Sequence, residues 1–549
     1  MSLPYVRQHA TYSNILGLSA VLTIAYLLFT AIYRLYFHPL AKFPGPFWAR
    51  VSSWPSYWHT VKQDRHVWLF QLQEQYGSTF RYRPDAVLFN TPTAFRHIYG
   101  PKGNTKKGDY YKVWPKNVDA LNTWSATDIP SHARKRRVLN FAFSEKALRA
   151  AEPFIHSNTD RWLDLMEEQA GKGKDKQWSD SFNMAEWLNF LVFDILGDLC
   201  FGKGFDMKEP GNSLRHIPEL MITFLALLHP VGYAPYASFY FWLKPRGLDW
   251  LMNVAAPSAV KNWQNFVDGC LADRTRVEQE LEKSTKPEAE TVARKDFFHW
   301  LFKAVDPETG KRGYELSELY AESELLIIAG SDTTSIVMSA MMFYLVRNPE
   351  IRTKLETEIH STFTTYDEIR SGTSLNSCTY MHAFITEAMR MCPPVAAELS
   401  RKVLTGGTQV DGHYIPEGLQ CSTGMYCLSY NKDYFLEPTK FRPERWIVDE
   451  KGVSGTSAEA VARAESAFCT FSTGSRGCVG KNLAWLEMKV VLAKLIYRFE
   501  IKADPANNLG GGDSNGRPGR RNVDQYQTYD LFVSGRNGPM VEIKKRVHV

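Results

Sequence analysis

The feature that most constrains the fold is a glycine-rich segment around one cysteine, FSTGSRGCVG at residues 471–480. Glycines at 474, 477 and 480 flank Cys478, where they permit positive φ angles and close approach to the backbone. The run KNLAWLEMKVVLAKLIYRF follows at once, so the thiol is expected near a helix N-terminus, where free amides and the dipole favour a thiolate. The segment therefore predicts a soft metal ligand, although one cysteine alone cannot hold zinc or an iron–sulfur cluster.

Size and composition predict a large globular protein. The chain has 549 residues, of which 44% are hydrophobic and 23% charged. A net charge of +6, without repeats or a basic tail, argues against a nucleic-acid binder. Because none of the eight cysteines forms a CxxC pair or a zinc-type cluster, we expect mostly buried free thiols in a reducing compartment.

The N-terminal region predicts a membrane anchor. Residues 15–33, ILGLSAVLTIAYLLFTAIY, carry no charge and would span about 28 Å as a helix, enough for a bilayer core. A cleaved signal peptide is the alternative, but its apolar region is shorter and ends in a small-residue cleavage site. More positive charge follows the span than precedes it, so the body is expected in the cytosol. The predicted organisation is a short lumenal N-terminus at 1–14, the anchor at 15–33, a proline-rich hinge at 34–50 and one large domain at 51–549.

The large domain is predicted to be mostly α-helical with small β-sheets. Residues 183–200 and 317–347 have helical apolar spacing, whereas 401–423 and 528–545 contain short strand-like pieces separated by turn residues. The segment 217–242 is very apolar but interrupted by prolines. We interpret it as a lid and entrance that dips into the bilayer surface, with a simple core helix as the alternative.

The pattern FxxGxRxCxG resembles the haem-binding signature of the cytochrome P450 superfamily. A single thiolate suffices as the axial ligand of haem iron, because the porphyrin supplies the other four bonds. The fixed positions are matched by Phe471, Gly474, Arg476, Cys478 and Gly480. The resemblance implies that Cys478 is the proximal ligand of haem b, that Arg476 reaches a haem propionate and that Phe471 packs beside the sulfur.

A second resemblance involves an acid and two arginines. Glu387 and Arg390 are three residues apart on a predicted helix, a spacing that by itself is typical of a surface ion pair. The superfamily has such an ExxR pair, joined by an arginine from a later PERF-like segment. FRPERW at 441–446 resembles that segment, with a final tryptophan, and supplies Arg445. The implied role is a structural lock behind the haem-binding loop rather than catalysis.

The stretch AGSDTT at 329–334 is unusual inside an apolar helix, because Gly, Asp and Thr are poor residues there. Threonine hydroxyls can bond to carbonyls of the preceding turn, so a packed helix with satisfied polar groups is one reading. The stretch also resembles the AGxDTT motif that crosses the distal face of haem. That resemblance implies that Asp332 and Thr333 relay protons, while Ala329 and Gly330 leave room for oxygen and substrate.

Further basic residues resemble the superfamily's propionate ligands. His132 and Arg136 share one helix face, and Arg401 follows the ExxR helix. Histidine stands at 132 where the superfamily often has tryptophan. Lys135 and Arg137 are expected either in a docking face for an acidic reductase or on an ordinary solvated helix face.

Together these likenesses imply a membrane-bound haem-thiolate monooxygenase similar to fungal microsomal members of secondary metabolism. Such an enzyme uses O₂ and electrons from NADPH–cytochrome P450 reductase, with cytochrome b5 as a second candidate donor, to hydroxylate a lipophilic small molecule at the endoplasmic reticulum. Phenol coupling, desaturation or epoxidation are alternatives within the same haem chemistry. A reductase-independent isomerase or dehydratase and a non-enzymatic haem-binding membrane protein also stay open, although the Asp332–Thr333 pair weighs against both.

Overall fold

A computed structural model describes residues 3–115, 120–173, 177–284, 294–452 and 454–547. The chain begins with a helix at Leu3–Ile32 that continues as a π-helix at Tyr33–Phe37. An 18-residue window within residues 14–37 has a mean hydropathy of 2.3 and none of its residues is buried, which is compatible with a membrane span. The limits of the anchor and hinge stay predictions.

The globular body is built mainly of helices. Its longest helix, Leu316–Arg347, is called the central helix below. The other α-helices are Phe47–Val51, Trp54–Val61, Arg65–Tyr76, Pro92–Tyr99, Ile129–Ala142, Glu145–Glu167, Met184–Phe201, Ile217–Val231, Ala237–Leu243, Leu248–Ala255, Ser258–Lys283, Phe297–Lys303, Pro349–Thr362, Thr373–Ser377, Thr379–Met391, Met425–Ser429, Ala458–Ser466 and Lys481–Arg498.

The strands form four small sheets. A five-stranded sheet has the spatial order Thr79–Arg83, Ala86–Phe89, Gln420–Ser422, Arg401–Val403, Thr105–Lys107, and only its second and third strands run parallel. A three-stranded antiparallel sheet has the order Phe182–Asn183, Met540–Lys545, Phe499–Ala503. Two hairpins complete the set, Thr408–Val410 with His413–Ile415 and Tyr529–Leu531 with Val533–Gly535.

The central helix lies in the main hydrophobic core. From Leu326 onward, its buried apolar residues lie on nearly all sides of the helix, as expected for a helix that other helices surround. It packs closely against the helix Met184–Phe201, and a Cβ at Gly330 would lie 2.8 Å from Leu196. A capping box formed by Glu315 and Glu318 satisfies amides at its N-terminus.

The structure confirms the predicted fold class. Helices cover the stretches predicted at 183–200 and 317–347, and short strands occur within 401–423 and 528–545. All eight cysteines are free; six are buried, Cys270 is half-buried and Cys478 is exposed. The apolar segment after residue 217 is not a simple core helix, since Leu227 is 69% exposed and no residue of Ala237–Leu243 is buried.

Candidate functional site

The loop around Cys478 is fixed by its own backbone. The Cys478 amide donates to the Phe471 carbonyl at 2.8 Å. Gly474 has φ +70°, and a Cβ there would clash with the Tyr99 carbonyl oxygen. Of the three glycines that permit positive φ, only Gly474 uses it, since Gly477 and Gly480 have φ of −60° and −81°. A Cβ on Gly480 would meet only the Phe143 ring, at 3.7 Å, so this glycine is not required by contacts within the described protein.

The electrostatics of the Cys478 thiol differ from the expectation. Burial is the largest influence and raises its pKa, whereas amides of Gly480 and Lys481 and the charge of Arg136 act in the opposite direction. The predicted amides and guanidinium are therefore present and act in the expected direction, but burial, which the local pattern does not reveal, outweighs them. A bound metal cation would complete the deprotonation.

Several residues that the protein encloses still have solvent-accessible surface, which indicates an internal cavity beside this loop. Cys478 is exposed even though burial dominates its pKa. Ala329 is likewise exposed in the part of the central helix after Leu326, whose other residues are buried or half-buried, and Thr333 on the same face is half-buried. We attribute the accessible thiol to an interior space, because a group enclosed by protein can present surface only to a cavity.

The hydroxyls of the central helix bond to the preceding turn, as predicted. Thr333 Oγ1 donates to the Ala329 carbonyl at 2.6 Å, and Ser331 and Ser335 make the same type of bond. The close contact with Leu196 favours glycine at position 330. This packing reason is additional to the expectation that Gly330 leaves room for oxygen and substrate.

Positively charged groups converge near the loop without acidic partners. Burial and then Arg401 lower the pKa of Arg476 to about 10. Burial and then Arg476 lower the pKa of His132 to about 3, with further contributions from Lys107, Arg136 and Arg401. In the described part of the chain, none of these five side chains makes a salt bridge with a carboxylate. Such a cluster fits a ligand with two negative charges, as the haem propionates are.

Arg476, Arg136 and Arg401 are each held by backbone or ring contacts. Arg476 donates to the Ala126 carbonyl at 2.5 Å, and Arg136 donates to the Gly477 carbonyl at 2.6 Å. Arg401 lies over the Tyr99 ring at 4.8 Å. A haem group fits this arrangement, which combines the accessible thiol, the open side of Gly480 and basic side chains that have no carboxylate partner.

The predicted lock is formed, and it is buried. Glu387 receives Arg390 at 2.8 Å on both oxygens and Arg445 Nε at 2.9 Å, and its side chain is 0% exposed. Burial opposes ionisation, but the two arginines hold the pKa of Glu387 below its ordinary value. Arg390 also donates to the Ser429 and Pro438 carbonyls, so the lock joins the helix Thr379–Met391 to the chain that follows the sheet.

Asp332 lies on a different face from Ala329 and Thr333. Its Oδ1 is 3.3 Å from Arg536 Nη1 and 3.5 Å from Asn189 Nδ2. Burial raises the pKa of Asp332, and Arg536 reduces the rise. The acid and the threonine thus neighbour each other in sequence but have different surroundings.

Comparison with known proteins agrees with this geometry. Residues 44–511 match the family model described as Cytochrome P450. The chain is 34% identical to cytochrome P450 monooxygenase fscF of Fusarium equiseti, with 95% of each chain covered. It is 33% identical to cytochrome P450 monooxygenase apf7 of Gibberella fujikuroi, covering 95% of this chain and 96% of that one.

The chain belongs to the cytochrome P450 family. It is an oxidoreductase of the monooxygenase type, and the haem of the family carries a thiolate ligand. The fold agrees with a crystal structure of the cytochrome P450DA haem domain, at a TM-score of 0.63 and 16% identity, covering 88% of this chain and 94% of that one.

Two residues of this P450 site were missed by sequence reasoning. Lys107 pairs in register with Arg401 across neighbouring strands, and its ammonium lies 4.3 Å from the centre of the Tyr111 ring. Trp446 donates its indole N–H to Glu387 Oε2 at 2.9 Å. Neither the strand register that pairs Lys107 with Arg401 nor the indole contact of Trp446 with the distant Glu387 produces a local sequence pattern. The tryptophan that ends the FRPERW segment was nevertheless a visible signal for the indole contact.

The suggested docking residues of this P450 have other contacts. Lys135 is buried and bonds Glu318 at 2.5 Å, while Arg137 lies 2.7 Å from Glu308 and 3.3 Å from Asp306. Both readings of Lys135, a docking charge or a solvated surface charge, are therefore wrong. Its ion pair instead fastens the helix Ile129–Ala142 to the first turn of the central helix.

Proposed function

We propose that this P450 uses O₂ and electrons from NADPH–cytochrome P450 reductase to hydroxylate a lipophilic small molecule in fungal secondary metabolism. The observation that carries the proposal is the accessible Cys478 thiol, held by amides beside unpaired cations. When bound, haem supplies the activation of dioxygen, and the thiolate donates electron density that favours cleavage of its O–O bond. The protein positions substrate and protons and excludes water.

Cys478 is the proposed iron ligand. The Gly480 and Lys481 amides hold the sulfur, and Gly480 leaves the backbone open to a flat macrocycle. The two propionates are proposed to bind to Arg476, Arg136, Arg401 and His132, together with Lys107. Burial, followed by repulsion from neighbouring cations, lowers the pKa values of Lys107 and Arg476, and a dianion there would offset the repulsion. Phe471 supports the loop, since its carbonyl accepts the Cys478 amide.

Asp332 and Thr333 are the proposed proton-handling residues. The Thr333 hydroxyl lies on the accessible face of the central helix and donates to the Ala329 carbonyl, so its oxygen is free to accept a bond. Asp332 is buried one residue before it and has an oxygen without a hydrogen-bond partner. The two side chains together can pass a proton from the interior to the cavity face.

Thr333→Ala tests this assignment. The variant should keep its haem spectrum and still consume NADPH, but should release more hydrogen peroxide for each product molecule. Peroxide and product are measured together against NADPH oxidation, with Thr357→Ala on an exposed helix as the matched threonine control. Tight coupling in Thr333→Ala would contradict the relay.

An apolar surface supports a lipophilic substrate that arrives from a membrane. Phe239 and Trp242 in the helix Ala237–Leu243, together with Trp250 in the next helix, are each more than half exposed. Tyr236 from this segment meets Tyr57 near the N-terminal helices, with 3.1 Å between the hydroxyls. The anchor and this surface therefore lie on the same side of the body. We propose a single-pass position in the endoplasmic reticulum membrane with the body in the cytosol.

The decisive experiment is a reduced, carbon monoxide difference spectrum of membranes, followed by NADPH-dependent turnover of candidate metabolites with the reductase. A thiolate-type Soret band and oxygenated product are expected, and Cys478→Ser should abolish the band while Cys427→Ser, a buried thiol, should retain it. A normal band without NADPH use would favour the isomerase or dehydratase. Normal haem binding without any turnover would favour the non-enzymatic alternative.

A further inference from the structure

A single arginine from the C-terminal region reaches the buried acid of the central helix. Arg536 follows the hairpin strand Val533–Gly535, and its side chain and that of Asp332 are each 2% exposed. Arg536 Nη1 donates to Asp332 Oδ1 at 3.3 Å, while Nη2 donates to Ser335 Oγ at 2.6 Å. Asp332 and Ser335 share one helix face, so one guanidinium spans both side chains.

Arg536 is the charged partner that acts on Asp332. The helix Met184–Phe201 contributes only the neutral Asn189 amide, 3.5 Å from Asp332 Oδ1. Within the described residues, no charged group other than Arg536 influences the ionisation of Asp332. The Arg536 guanidinium is therefore the main group that opposes the effect of burial on the pKa of this carboxyl, with a smaller contribution from the Asn189 hydrogen bond.

The pair is only partly satisfied. Asp332 Oδ2 and Arg536 Nε have no hydrogen-bond partner among the described residues. A buried ion pair kept for stability alone is expected to satisfy its remaining polar atoms, because each unpaired one costs free energy. An unpaired carboxylate oxygen on the residue that precedes Thr333 is instead what a group that exchanges protons requires.

The hairpin that presents Arg536 is held at its other strand. Asp530 Oδ1 lies 3.3 Å from His229 Nε2, and both side chains are buried. Phe532 at the turn lies 5.2 Å from the Trp124 ring and 5.6 Å from the Tyr110 ring, measured between centroids. Because these contacts fix the hairpin, Arg536 is presented to Asp332 in one position.

We propose that Arg536 is the positioning residue for Asp332: it orients the carboxyl through Oδ1 and keeps its proton exchangeable. This inference rests on the proposed monooxygenase function. With Arg536 in place, Asp332 Oδ1 is fixed and Oδ2 is left to take up and release a proton. Without that charge, only the Asn189 hydrogen bond opposes burial, so Asp332 holds its proton to higher pH and transfer towards Thr333 slows.

Arg536→Gln tests the kinetic consequence in the full-length protein with its reductase. We expect an unchanged carbon monoxide spectrum and KM, kcat lower by about tenfold, which is part of the ~10²–10⁴-fold that positioned proton transfer supplies, and more peroxide per product. The limb of the pH profile that reports Asp332 should move to higher pH. Arg536→Lys, which retains the charge, should restore most of the lost rate.

Arg274→Gln is the matched control. Arg274 pairs with buried Asp296 at 2.9 Å, on helices that do not carry the proposed site residues. Its loss should lower stability without changing the ratio of peroxide to product or the pH profile. Equal changes in both variants would show that the effect of Arg536 is only structural and would overturn the inference.

Infrared spectroscopy of the purified protein tests the same assignment without turnover. The carbonyl band of a protonated carboxylic acid, identified by its loss in Asp332→Asn, should persist to higher pH in Arg536→Gln than in the parent. If Arg536→Gln does not fold, Arg536→Lys is used instead. Its ammonium cannot bond Asp332 and Ser335 together, so the band should again persist to higher pH than in the parent, but by a smaller margin. If the band disappears at the same pH in the variant and the parent, the inference is overturned even if the enzyme is active. Failure of the carbon monoxide test would overturn the proposed function instead, while the infrared result still decides the role of Arg536.

Discussion

Glu387 and Asp332 are two buried carboxylates whose surroundings shift their pKa values in opposite directions. Glu387 accepts bonds from two arginines, the Trp446 indole and the Arg442 amide, and its pKa is lowered. Asp332 has one arginine and a distant amide, and its pKa is raised. Burial acts in the same direction on both, so the number of donors decides the outcome.

The difference separates a structural carboxylate from a functional one. Every oxygen of Glu387 is bonded, and the charge is fixed between elements that frame the cysteine loop. Asp332 keeps one free oxygen next to the accessible face of the central helix. Perturbed ionisation with an unsatisfied atom is typical of groups that react.

The largest expected effect comes from Glu387→Gln. Loss of the carboxylate would leave two buried guanidinium groups without a counter-ion, which costs about 3–5 kcal/mol and approaches the total stability of many domains. We expect little folded, haem-containing protein, measured by the carbon monoxide spectrum and by thermal unfolding. Glu437→Gln, whose side chain is 44% exposed, is the control and should leave stability nearly unchanged. A stable Glu387→Gln protein with normal haem would mean that the lock is dispensable.

Asp332→Asn tests the functional carboxylate of the comparison. The amide retains the shape of the carboxyl but cannot exchange a proton, so the variant should fold and bind haem while product formation falls by about 10²-fold or more. Product is quantified per haem and per NADPH. An active Asp332→Asn enzyme would remove this acid from the mechanism.

Trp446→Phe sharpens the comparison by removing one donor from Glu387. A hydrogen bond to a charged group contributes about 1.5–3 kcal/mol, and both arginines stay in place, so the variant should be less stable but retain haem and activity. Thermal or denaturant unfolding measures the loss, with the exposed Trp250→Phe as control. Equal stability of the two variants would show that the indole bond contributes nothing.

The smallest effect is the pH dependence of stability. Glu387 has a folded pKa below 4.5, so its contribution is present above pH 4.5 and is lost as pH falls through the folded value. Asp332 has a folded pKa above 3.8, so the free energy of unfolding decreases as pH rises from 3.8 through the folded value. Unfolding of the parent and Asp332→Asn across this range should diverge as pH rises. Parallel curves would contradict the raised pKa of Asp332.

Much of the site could be predicted because its residues lie in short local patterns. The Cys478 loop, the Glu387–Arg390 spacing and the polar stretch at 329–334 each occupy a few consecutive positions that backbone geometry brings together. The central helix was predicted within one residue for the same reason, since its apolar pattern is continuous. At Cys478 the local amides were correctly inferred, but burial by the rest of the chain outweighs their effect on the pKa.

The sequence by itself determined which chemical groups are available: a lone thiol in a glycine loop, an acid beside a threonine and an acid spaced to meet an arginine. Only the tertiary structure decided which of these are satisfied. Lys107 joins the cations through strand pairing with Arg401, and Arg536 reaches Asp332 across 204 positions of chain. Ionisation in a protein interior depends on burial and on distance in space, and neither can be read from distance along the chain.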